Sequence, residues 1–163
     1  MRVRKGMSSI VRWLMAGYRD LQVWQEARIL ASEVYHIADQ LPSHEKYGLC
    51  DQMRRAVASI GSNIAEGQGR GTRRDYLHFL YIARGSAYEL DTQLLYCLDL
   101  YLPKDPLLAS ALKRVGSIQW MINQMIRRLS MDTSRTSSCH EERIPYGEMT
   151  MQEEHNLPEG LTF

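Results

Sequence analysis

The stretch that decides the fold is "SIGSNIAEGQGRGTRRDY", residues 59–76. Its first half continues an apolar row in which Leu49, Met53, Ala56, Val57, Ile60, Ile64 and Ala65 recur at steps of three and four, so they share one helical face. Gly67, Gly69 and Gly71 then interrupt the row, with Arg70 among them. Glycine is frequent just past a helix end, so the run reads as punctuation. Thr72 followed three residues later by Asp75 fits a variant of the capping box, with Asp in place of Glu or Gln. The stretch therefore predicts a helix from about Lys46 to Gly67, a tight turn, and a third helix from Thr72 to about Tyr101. "GQGRG" is neither GxxxxGK[ST] nor GxGxxG after a strand, so a phosphate-cradling loop has little support.

The same pattern extends outward. Leu21, Trp24, Ala27, Ala31, Val34, Tyr35, Ala38 and Leu41 form an apolar stripe over about Asp20 to Gln40. Pro42 ends it, and Ser43 is a candidate N-cap for the next helix. In the third helix the stripe is Tyr76, Phe79, Leu80, Ala83, Ala87, Leu90, Leu94 and Leu98. Asp105 before Pro106 is a helix start, and Leu108, Leu112, Val115, Ile118, Met121, Ile122, Met125 and Leu129 carry the fourth helix to about Ser130. Short connections favour antiparallel neighbours. The expectation is an all-α, up-down-up-down antiparallel four-helix bundle over residues 18–130. A basic extension precedes it at 1–17, and a disordered acidic tail follows at 131–163.

Composition agrees with one domain of this class. The chain has 163 residues, 44% of them hydrophobic and 24% charged, which is ordinary for a globular protein with a real core. The net charge of +1 hides an asymmetry: Arg2, Arg4, Lys5 and Arg12 open the chain without an acid, whereas residues 131–163 carry seven acids against Arg135 and Arg143. Three cysteines, Cys50, Cys97 and Cys139, make no CxxC pair, which points to a reducing cytoplasm and no disulfide scaffold. The basic start has an apolar run too short for an export signal, and Met7 or Met15 is an alternative initiator. No segment is long and apolar enough to span a bilayer.

Three constellations bear on chemistry. Asn63 with Glu66, and Ser86 with Glu89, are each three apart, so each pair shares a helical face. If the second and third helices are antiparallel about residues 67–72, the four side chains form a polar network that fixes helix register. The alternative is a carboxylate metal site of the bundle type using Glu66 and Glu89. That site needs a Glu-x-x-His pair on each of two helices, and His36, His44 and His78 are scattered. Cys50 and Cys97 sit in helical stripes as small core hydrophobes, and no serine lies in a nucleophile elbow. Arg54, Arg55, Arg70, Arg73 and Arg74 cluster on the second helix and around its end. They are candidate phosphate contacts, against the ordinary fate of surface charge as a solvated face with local ion pairs.

"YRDLQVWQEA" at 18–27, "QMRRAVASIGSNIAEGQGR" at 52–70 and "FLYIARGSAYELDTQL" at 79–94 resemble the four-helix-bundle family first noticed as open reading frames within intervening sequences of bacterial 23S ribosomal RNA genes. The resemblance rests on Asp20, Leu21 and Trp24, on the run from Ser62 to Gly67, and on Gly85, Ser86 and Glu89, and it covers about Tyr18 to Leu129. It implies a small antiparallel bundle that forms homo-oligomers, pentameric rings in particular. A related branch holds the accessory protein of diversity-generating retroelements, which binds a reverse transcriptase and its template RNA through a basic surface.

The resulting expectation is a non-enzymatic cytoplasmic homo-oligomer, without cofactor, metal or membrane. Its basic rim of Arg54, Arg55, Arg70, Arg73 and Arg74 would meet RNA or a ribonucleoprotein, a reverse transcriptase complex included. A purely structural oligomer and a metal-dependent enzyme are the alternatives.

Overall fold

The computed structural model describes residues 17–136. Four helices account for nearly all of it: α1 Gln22–Gln40, α2 Leu49–Gly69, α3 Arg73–Leu100 and α4 Pro106–Thr136. Short 3₁₀ turns occur at Tyr18–Asp20 and Ser43–Glu45, and no strand is found among the described residues. Helices pack in the cycle α1–α2, α2–α3, α3–α4 and α4–α1. Partners run in opposite order along each seam. Gly67 meets Phe79, Ser59 meets Ser86, and Met53 meets Cys97 along α2–α3. The other seams behave alike: Arg84 meets Asn123 and Ala87 meets Gln119, while Glu33 meets Ser110 and Glu26 meets Arg114. The expected all-α, up-down-up-down antiparallel bundle is the observed one.

The helix starts show how local chemistry sets the boundaries. Thr72 caps α3, its Oγ1 accepting from the Asp75 amide at 3.1 Å and donating to Asp75 Oδ2 at 2.7 Å. Asp105 caps α4 by accepting the Leu108 amide at 2.8 Å, ahead of Pro106. The N-cap assigned to Ser43 is corrected. Ser43 lies in the 3₁₀ turn, and the carboxylate of Glu45 accepts the Leu49 amide at 3.1 Å. Glu45 also accepts a 2.7 Å bond from the Tyr101 hydroxyl, which holds its carboxyl below the usual range. Helix α2 therefore begins at Leu49 rather than Lys46, since Glu45 can satisfy an orphan amide only from outside the helix.

Two ends also move. Helix α2 runs through Gly67 to Gly69, and Gly71, at φ +73°, is the glycine that makes the turn. Helix α4 continues past Ser130 to Thr136, so the first part of the expected tail is helical. Residues 1–16 and 137–163, with the basic extension and the rest of the acidic tail, lie outside the described residues.

The core follows the apolar stripes except in α1, where Leu30 and Ile37, outside the expected stripe, are buried and Tyr35, inside it, is not. Leu30, Val34, Ile37, Met53, Ile60, Ile64, Leu80, Leu90, Leu94, Leu108, Ile118 and Ile122 are wholly buried. Tyr35, placed in the α1 stripe from its spacing, is instead half exposed beneath the Arg54 guanidinium.

Gly67 marks the tightest approach in the bundle. A Cβ there would stand 2.7 Å from Phe79 Cβ and 2.9 Å from a Tyr76 ring carbon, whereas one on Gly69 would meet nothing within 4 Å. Gly67→Ala should therefore destabilise the fold by about 1–3 kcal/mol through overpacking. Gly69→Ala should be neutral or stabilising by up to about 1 kcal/mol. Urea unfolding midpoints of the two variants check the contrast.

Candidate interaction surfaces

The register network forms, but around a different residue. Ser59 is its hub: Asn63 Nδ2 donates to the Ser59 carbonyl at 2.7 Å and to Ser59 Oγ at 2.9 Å, and Ser59 Oγ lies 2.8 Å from Ser86 Oγ on α3. Ser86 also donates to the Ile82 carbonyl at 3.2 Å. Asn63 and Ser86 are thus linked through Ser59, not to each other directly. Glu66 and Glu89 are exposed and bond along their own helices. Glu66 pairs with Arg70 at 2.5 Å, and Glu89 accepts from Gln93 at 3.1 Å. A three-residue step keeps two side chains on one side of a helix, but the helix edge decides which of them reaches its neighbour.

Among the described residues no three His, Cys, Asp or Glu side chains are grouped to hold a metal ion. Cys50 and Cys97 are free and buried. Burial pushes the Cys97 thiol up to about 11 and raises that of Cys50, so neither supplies a thiolate near neutral pH. Buried Tyr76 is likewise raised. The most developed polar cluster joins α1 to α4: Arg114 sits between Glu26 and Glu33, at 2.9 Å from Glu33, which also accepts the Ser110 hydroxyl at 2.9 Å. It is a clamp between helices, with its charges matched internally.

The candidate arginines divide. Arg54 pairs with Asp39 at 2.7 Å and Arg55 with Asp51, while Arg70 pairs with Glu66 and lies 5.4 Å from the Phe79 ring centroid. Their charge is largely compensated by local acids. Arg73 and Arg74 differ. Arg73 opens α3 with Nε and Nη2 buried and without a hydrogen-bond partner among the described residues, and Arg74 is exposed with no ion pair there. Of the five, Arg74 is the one that is both exposed and without an acidic partner among the described residues.

A surface feature escaped the periodicity reading. Helix α3 carries a second apolar row, on its outer side, made of Tyr81, Ile82, Tyr88, Leu95 and Tyr96, each 40–52% exposed. Tyr81, Tyr88 and Leu95 stand seven apart, with Gly85 and Thr92 between them. The signal was present in the sequence: besides its buried stripe, α3 carries Tyr81, Tyr88 and Leu95 seven apart on another side, among charged residues such as Arg84, Glu89 and Asp91. A four-helix bundle covers only the side facing α2 and α4.

Two substitutions separate the network from its neighbours. Ser59→Ala, removing the hub, should cost about 1 kcal/mol. Glu66→Ala should cost no more than about 0.5 kcal/mol, as expected for an exposed pair one turn apart. Chemical unfolding of both variants gives the comparison.

The fold and these surfaces can be set beside known proteins. A family model described as 23S rRNA-intervening sequence protein matches residues 19–124. A solved structure from Bacteroides thetaiotaomicron, described as a protein with unknown function from the S23 ribosomal protein family, superposes with a TM-score of 0.58. It is 22% identical, and the match covers 64% of this chain and 97% of that one. At that identity the likeness speaks to the fold alone. No curated protein matches the sequence. The family model spans well over half of the sequence, and the chain belongs to the 23S rRNA-intervening sequence protein family.

Proposed function

We propose that the chain is a non-enzymatic interaction protein that self-associates through the outer face of α3 and offers an arginine rim to RNA or a ribonucleoprotein. The observation that carries self-association is the row of five large apolar side chains left open on α3. Singly exposed apolar groups need no explanation, but a continuous row along one helix marks a contact surface. Tyrosine suits such a surface, with a large apolar body and a hydroxyl for the rim.

The RNA reading rests on exposed Arg74, with half-buried Arg73 beside it, at the start of α3 next to the 69–72 turn. One pair of arginines makes a weak anion site. Several copies brought together by assembly would repeat it and build a field that attracts phosphate. Arg54, Arg55 and Arg70 contribute less, because each already faces a carboxylate. The reverse transcriptase complex implied by the resemblance belongs to the same class of partner. A structural oligomer without nucleic acid is the second reading, and the internal matching of those three arginines favours it. A metal-dependent enzyme using Glu66 and Glu89 draws no support from two exposed carboxylates bonded along their own helices.

Two experiments test the proposal. Wild-type protein should sediment well above its 18.9 kDa chain mass, and Tyr88→Glu should shift it toward that mass while far-UV circular dichroism stays unchanged. A variant that assembles like wild type would remove α3 from the interface. A titration with a structured RNA should show binding at low salt that weakens as salt rises, with a shallower slope for the Arg73→Ala, Arg74→Ala double variant. Binding that is undetectable, or indifferent to salt, would leave the structural oligomer as the function.

A further inference from the structure

We infer that Cys50, Met53 and Cys97 form a buried sulfur site for a soft monovalent metal ion, copper(I), on the inner seam between α2 and α3. Cys97 reaches across that seam, its thiol donating to Met53 Sδ at 3.5 Å. Cys50 stands three residues before Met53, on the same face of α2. Met53 and Cys97 are sealed completely, and Cys50 is 3% exposed. The Cys97 thiol is raised first by burial and next by Cys50, so the two cysteines lie within electrostatic reach of each other. Both are free.

The spacing suits a metal. Two sulfurs bound to one ion at about 2.3 Å stand roughly 3.8 Å apart at a tetrahedral angle. Met53 Sδ and Cys97 Sγ already stand at 3.5 Å, and the hydrogen between them marks where the ion would sit. Loading exchanges one cation for another. The Cys97 S–H bond breaks, an S–Cu bond forms, and the proton leaves to solvent. Copper(I) and the proton carry the same charge, so the loaded core stays neutral. An uncompensated charge there would be costly. The high proton affinity of Cys97 does not bar the exchange, because a coordinating thiol is deprotonated outright by the metal it binds.

The ligand set selects the ion. Thiolate and thioether are soft donors that suit copper(I). Zinc asks for four nitrogen, sulfur or oxygen ligands, and among the described residues no His, Asp or Glu completes a group with the two cysteines. Calcium and magnesium take oxygen ligands. Cys50 is the member nearest solvent, its thiol donating to the Ala38 carbonyl at 3.3 Å near the end of α1, so an ion would enter past it. The site shares no residue with the outer row of α3 or with the arginine rim.

The experiment uses the full-length protein carrying Cys139→Ser, which removes the thiol outside the described residues. Reduced, anaerobic protein is titrated with copper(I) against a chromogenic copper(I) chelator. One ion per chain should be withdrawn from the chelator, and X-ray absorption should show a first shell of sulfur alone. Met53→Leu conserves volume and keeps the fold. It should weaken binding at least about tenfold, the loss that follows even from removing a ligand's outer partner. Cys97→Ala should abolish binding, and Cys50→Ala should lower the sulfur count by one. Circular dichroism reports whether each variant folds, and Met53→Leu decides the matter where a cysteine variant does not. Failure to compete with the chelator overturns the inference. So does copper(I) held as tightly by Met53→Leu, a first shell containing nitrogen or oxygen, or a sulfur count that Cys50→Ala leaves unchanged.

Discussion

The close approach of Gly67 to Tyr76 and Phe79 is the contact on which the rest of the bundle depends. A glycine inside a helix costs about 1 kcal/mol relative to alanine, so its place in α2 calls for a local reason. The reason is distance: no Cβ fits between the α2 backbone and the two α3 side chains. With the seam drawn tight at the turn, the register farther along follows. Ser59 reaches Ser86, and Met53 reaches Cys97 across the core. Once α3 is held by α2 on one side and α4 on the other, its remaining side faces outward with a row of tyrosines and aliphatics still uncovered.

The fold was largely legible because the helix signals are local. Thr72 with Asp75, and Asp105 with Pro106, act within one turn of the helix they start, and both behave as read. The misreadings share a cause, which is that they depend on tertiary placement. Ser43 has the right chemistry for a cap, but Glu45, anchored by Tyr101 from the end of α3, takes the amide. Gly67 has the composition of punctuation and serves as packing, because what lies across from it is set by the turn. Glu66 shares a face with Asn63 but sits past the edge that meets α3, and Ser59, one turn earlier, occupies the contact. The outer row of α3 is also present in the sequence, but periodicity alone does not say which of two apolar faces meets the bundle; the positions of α2 and α4 decide it.

The charges sort by the same logic. Where a basic side chain has an acid within one turn or across one seam, as Arg54, Arg55, Arg70 and Arg114 do, its charge is compensated locally, and for Arg114 the pairing also joins α1 to α4. Arg73 and Arg74 open α3 next to Asp75, yet that carboxylate is engaged by Thr72. What the fold leaves uncompensated is thus an exposed apolar row on α3 and a small basic edge at its start. Family membership accounts for the four-helix architecture alone.

Hydroxyl-radical footprinting of the full-length protein across a range of concentrations tests the central claim most directly. If the outer face of α3 is the association surface, labelling of Tyr81, Tyr88 and Tyr96 should fall together as the protein assembles. Labelling of Tyr47, 86% exposed in the α1–α2 connection, should stay constant. Assembly that leaves the three α3 tyrosines labelled as strongly as in the monomer would contradict the account.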